Sequence, residues 1–101
     1  MTRAALGAWL AARRPTPPAV LRAHLDAGLG DAPANLPLAD QLAWLGQRFL
    51  ARVTAQSAGG RELALDLLAA DALVTYAFEA QAEADVSGIA ALAARVTKCA
   101  W

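Results

Sequence analysis

Apolar residues recur along this chain at helical spacing. The strictest case is 37–56, where Leu38, Leu42, Leu45, Phe49 and Val53 follow one another at steps of four, three, four and four. At 3.6 residues per turn such steps make one apolar stripe, so this stretch is expected to bury a single face of a helix. The longest predicted helix covers about 60–84. Gly59 and Gly60 precede it, and neither glycine nor proline interrupts it before Gly88. Advancing 100° per residue gathers Leu63, Leu67, Val74 and Phe78 on one side, with Ala64, Ala70 and Ala82 beside them, and places Glu62, Asp66, Glu79 and Glu83 on the other. Leu65, Leu68 and Leu73 fall outside that stripe. Several neighbours can therefore pack on this helix, which is expected to be the central one.

Punctuation along the rest of the chain defines three shorter helices. Thr2 is placed to cap a helix from Arg3 to about Arg14, which Pro15 ends and in which Leu6, Trp9 and Leu10 form a narrow stripe. Thr16-Pro17-Pro18 reads as a cap followed by first-turn prolines, opening a second helix to about Ala27 with Val20, Leu21 and Leu25 inward. The run GLGDAPANLP, residues 28–37, concentrates loop formers. Asp85-Val86-Ser87 predicts a break with Asp85 or Ser87 as a new cap, and a last helix from Gly88 to about Lys98 sets Ile89, Leu92 and Val96 on one side. The short turn SAGG, 57–60, should fold 60–84 antiparallel against 37–56. The expected architecture is an all-α bundle of four to five helices in one domain, 1–101. It divides into a helical hairpin 3–28, a loop 28–36 and a helical core 37–98.

Composition supports the helical reading. Alanine (28) and leucine (16), both strong helix formers, supply nearly half of the 101 residues. Net charge is zero, but the signs are segregated: residues 1–61 carry seven arginines against three acids, and residues 62–101 carry Arg95 and Lys98 against six acids. The halves, +4 and −4, should attract each other within one chain or between two copies. A neutral balance argues against a nucleic-acid partner, including a helix-turn-helix reading of the first two helices with Arg3, Arg13, Arg14 and Arg22. No apolar run reaches 18 residues without a charge, so no transmembrane segment is expected. The single cysteine, Cys99, allows no internal disulfide and makes a reducing, cytoplasmic setting the default expectation.

Candidate chemistry centres on one acid. Asp71 projects between Leu67 and Phe78 and so is expected to be buried in an ion pair, with Arg48 or Arg52 on the antiparallel helix as its partner. Trp44, Arg48 and Arg52 stand in a row at four-residue steps, and together with Trp101 they are candidates for a partner surface. His24 lies within the apolar arc of the second helix and reads as a core-edge imidazole. With no second histidine and only one distant cysteine, a His/Cys metal site cannot be completed, and neither metal nor cofactor is expected. GLGD lacks the ending of a phosphate loop. The run Leu68–Glu83, LAADALVTYAFEAQAE, resembles a helix of the isoprenyl diphosphate synthases. That family binds magnesium through DDxxD motifs, which this chain lacks, so the resemblance implies helical packing and transfers no catalytic residue.

With no nucleophile-base set, the expected function is a non-enzymatic helical interaction module. It would be an accessory, adaptor or regulatory subunit working through a helix face in a homo- or hetero-oligomer. The high apolar content, 57% against 18% charged, supports that expectation. The alternative is a small-molecule-binding or enzymatic domain built on Asp71 and the arginines.

Overall fold

The computed structural model describes residues 2–56, 59–99 and 101, and among these every regular element is helical. Five α-helices follow in order: α1 Arg3–Ala11, α2 Ala19–Gly28, α3 Leu38–Ala55, α4 Arg61–Asp85 and α5 Ile89–Lys98. Single 3-10 turns occupy Leu29–Asp31 and Val86–Gly88. Thr2 caps α1 as its position implies, its Oγ1 accepting from the Ala5 amide at 3.1 Å. Two expected boundaries are corrected. Helix α1 stops at Ala11, so Arg13 and Arg14 lie beyond its last turn, and α2 starts after both prolines, with Pro18 rather than Thr16 at its cap position.

The bundle is organised by the antiparallel pairing of α3 with α4. Residues near 46 on α3 meet residues near 70–74 on α4, while Gln56 reaches back to Asp66. The glycine half of the expected turn opens α4: Gly60 has φ +130°, a conformation that disfavours any side chain. Its Ser57-Ala58 half lies outside the described residues. A helix of 25 residues is about 37 Å long at 1.5 Å per residue, so α4 spans the longest dimension of the molecule, 39 Å.

The face that α4 buries differs from the one its leucines suggest. Asp66, Ala69, Ala70, Leu73, Ala77 and Ala80 are buried, whereas Leu67 and Leu68 are exposed. At 100° per residue, the centre of the buried set is rotated by about 100° from the centre of the Leu63, Leu67, Val74 and Phe78 stripe. Small side chains explain the choice, because they let the two backbones approach closely. At Gly46 an added Cβ would stand 2.8 Å from Val74 Cγ2 and 3.3 Å from the Ala70 carbonyl oxygen. Leu42, Leu45 and Phe49 from α3, Leu25 from α2, Leu6 and Leu10 from α1, and Leu92 from α5 complete the core.

Helix α1 is held to the far half of α4 by an aromatic and charged clamp. The Trp9 ring meets Tyr76 edge-on at 6.0 Å, its Nε1–H donates to Glu83 Oε1 at 3.2 Å, and Arg13 lies 3.7 Å above its centroid. Arg13 Nη1 also donates to Glu83 Oε2 at 3.0 Å and to Glu79 Oε2 at 3.4 Å. Burial, followed by the Glu79 charge, pushes the Tyr76 phenol above its ordinary value. Opposite charges from the two halves of the sequence thus meet inside one chain.

Gly46→Ala tests the close helix contact. An alanine in an unconstrained helix interior gains about 1 kcal/mol over glycine. Here the new methyl presses on the branched Val74 side chain and on the α4 backbone, and the substitution should instead destabilise by about 1–3 kcal/mol in urea unfolding. A second test concerns Glu83, whose carboxyl is held below its ordinary 4.5 by hydrogen bonds from Arg13 and then Trp9. Its contribution is therefore complete above pH 4.5 and disappears as pH falls through the lower folded value. Glu83→Gln should flatten that part of the acid limb of melting temperature against pH, and an unchanged limb would contradict the clamp.

Candidate functional site

Asp71 is exposed, which corrects the expectation of a buried ion pair. It lies five residues beyond Asp66, about 140° around the helix, and the rotation that buries the alanine stripe turns it outward. The two arginines expected to pair with it go elsewhere: Arg48 Nε is 3.7 Å and Arg52 Nη2 3.9 Å from Asp31 Oδ2. The constellation of Asp71 with Arg48 and Arg52 is not formed.

Asp66 takes the buried position, with 3% of its surface exposed. An acid withdrawn from water this far requires donors, and α2, α3 and the residue after α3 supply them. His24 Nε2 on α2 lies 2.7 Å from Asp66 Oδ1, Gln56 Nε2 just beyond α3 donates to Oδ2 at 3.2 Å, and Arg52 Nη1 on α3 approaches Oδ1 at 3.9 Å. An ionised carboxylate only accepts, and toward it the ring donates a hydrogen from Nε2. The imidazole is further fixed by the Phe49 ring, whose centroid is 5.4 Å away, and Arg52 covers the same ring at 4.5 Å. One turn before Asp66, the exposed Glu62 brings Oε1 to 3.8 Å from His24 Nδ1. Among the described residues, potential donor atoms from His24, Glu62 and Asp66 lie within 4.8 Å of one another, a grouping able to hold a metal ion. The pairing of Glu62 with Asp66 at i and i+4 was visible in the sequence, but their meeting with His24 was not.

A second buried acid, Asp40, opens α3 and ties down the end of the chain. Its Oδ1 accepts from Arg95 Nε at 2.8 Å and from Trp101 Nε1 at 2.9 Å. Trp101 thereby joins Trp44 and Arg48 around a shallow pocket of about 250 Å³ that also touches Gln47, Ala51 and Cys99. Three of the four partner-surface candidates converge there. The fourth, Arg52, sits a turn further on, between Asp31 and Asp66.

Beside that pocket, and sharing Gln47 with it, α3, α4 and α5 leave an apolar groove of about 310 Å³. Leu50 and Leu67, 40% and 52% exposed, line it together with Ala70, Val74 and Val96, and Asp71 is part of its wall. Helix α5 reaches only one part of this furrow, where Gln47 Nε2 donates to the Val96 carbonyl at 2.9 Å. Among the described residues, no helix is long and apolar enough to cross a membrane. No family model, curated protein or solved structure matches the chain.

The two acids on α4 should respond oppositely to truncation. Asp66→Ala strands the half-buried His24 donor, while the exposed Gln56 turns to water, and is expected to cost about 1–3 kcal/mol in chemical unfolding. Asp71→Ala, on the surface, should stay within about 0.5 kcal/mol. Equal losses would contradict the assignment of the buried acid.

Proposed function

We propose that this protein is a non-enzymatic helical interaction module, an accessory, adaptor or regulatory subunit that works by receiving an apolar helix face in the groove between α3 and α4. The observation that carries this reading is the exposure of Leu50 and Leu67 along a continuous apolar furrow. Large aliphatic side chains left side by side in water cost free energy that a covering helix recovers, at about 25 cal/mol per Å² removed from water. Groove formation follows from the small-residue packing of α4. The stripe that buries alanines leaves bulkier leucines outside.

A second copy of the chain is the simplest occupant, since a two-fold contact places the same patch on both subunits. The adjoining pocket framed by Trp44, Arg48 and Trp101 offers a further surface, with an aromatic and guanidinium composition common at protein interfaces. Catalysis built on Asp71 and the arginines has less support, because Arg48 and Arg52 are engaged with Asp31 instead.

Light scattering of the native chain and of Leu67→Glu tests the proposal. The native protein is expected to run as a dimer or larger and the variant as a monomer, with the melting temperature of the variant monomer showing an intact fold. A native chain that is monomeric at every concentration measured, or a variant that associates equally well, would overturn self-association through this groove.

A further inference from the structure

The hydrogen bond between His24 and Asp66 has a consequence on the opposite edge of the imidazole ring. In the neutral ring, a hydrogen on Nε2 leaves a lone pair at Nδ1. That lone pair faces Glu62 Oε1 at 3.8 Å, and Glu62 brings no hydrogen of its own when ionised. Two electron-pair donors thus confront each other across a gap that suits a cation. The side chain of Asp66 is 4% exposed and that of His24 15%, whereas that of Glu62 is 74% exposed. The inner part of the cluster is therefore held rigidly while the outer carboxylate is free to swing onto an ion arriving from solvent.

We infer that His24 Nδ1 and Glu62 form a binding site for a first-row divalent cation of the zinc class, with Asp66 as the carboxylate that orients the ring from behind. The arrangement matches the general way a protein prepares a histidine ligand: one ring nitrogen donates to a carboxylate, which fixes the tautomer and makes the other nitrogen a better base. Zinc–nitrogen and zinc–oxygen bonds are about 2.0–2.2 Å long, so a tetrahedral ion needs its donors about 3.3–3.5 Å apart. A small rotation of Glu62 closes the present 3.8 Å to that distance. Water fills the remaining positions on the open side. An imidazole ligand favours zinc, cobalt or nickel over magnesium or calcium.

Two features moderate the affinity. Arg52 lies 3.9 Å from Asp66, and Glu62 stands in the first turn of α4, where the helix dipole is positive. Formal charges of Glu62, Asp66 and Arg52 nonetheless sum to −1 around the ring. No covalent or redox step is involved, and the proton on Nε2 stays in its bond to Asp66 when the ion binds.

Titration of the 101-residue chain with Zn²⁺, followed by calorimetry and by ¹⁵N NMR of the histidine ring, tests the site. One ion per chain is expected, with the Nδ1 resonance shifting strongly and the Nε2–H retained. Glu62→Gln, at an exposed position that leaves the fold intact, should weaken binding by about tenfold or more, and His24→Ala should abolish it. Asp66→Asn keeps both ligands but removes the orienting charge, and is expected to weaken binding by about 10–100-fold. Mg²⁺ should not compete. Absence of binding, a shift at Nε2 instead of Nδ1, or unchanged affinity in Glu62→Gln would overturn the inference. The Glu62 measurement decides the matter if His24→Ala fails to fold.

Discussion

Close contact between α3 and α4 governs this structure. At Gly46 the helices come close enough that a Cβ would press on Val74 and the Ala70 carbonyl, and the alanines at 69, 70, 77 and 80 give α3 a surface on which its own large residues can settle. Dispersion and burial then accumulate along most of both helices. Once that pairing is set, the rotation of α4 about its axis is fixed. Every other assignment on α4 follows from this rotation: Asp66 inward, Asp71 outward, Leu67 and Leu68 in water.

Burial of Asp66 is the most demanding result of that rotation, and the surrounding chain answers it with three donors drawn from α2, α3 and the residue after α3. Asp40 is treated similarly by Arg95 and Trp101. The two acids do different structural work. Asp40 secures α5 and the chain end against α3, while Asp66 ties α2 and the end of α3 to the start of α4. Opposite charges from the basic and acidic halves of the sequence meet within the chain, where Arg13 meets Glu79 and Glu83 and Arg52 meets Asp66.

The same packing shapes the surfaces available to other molecules. A leucine stripe displaced from the core by alanines is a ready groove wall, and α5, at ten residues, is too short to cover it all. At the other polar cluster, the ring of His24 is presented on edge, with one nitrogen engaged by a buried acid and the other facing an exposed one. Apolar docking and cation binding would use different parts of α4.

The helical class, the places where helices begin and end to within a few residues, and the antiparallel hairpin of α3 on α4 were all legible in the sequence. They depend on local propensity, on glycine and proline punctuation and on the regular stripe of Leu38, Leu42, Leu45 and Phe49. A requirement for a buried acid answered by donors from other helices was also legible in kind. Its address was not, because hydrophobicity ranks leucine above alanine, whereas close packing favours whichever face lets two backbones approach. In α4 those two criteria point about 100° apart. Only the tertiary structure could decide between them, since the outcome depends on Gly46, His24 and Gln56, residues distant in sequence that supply the space and the hydrogen bonds one face needs.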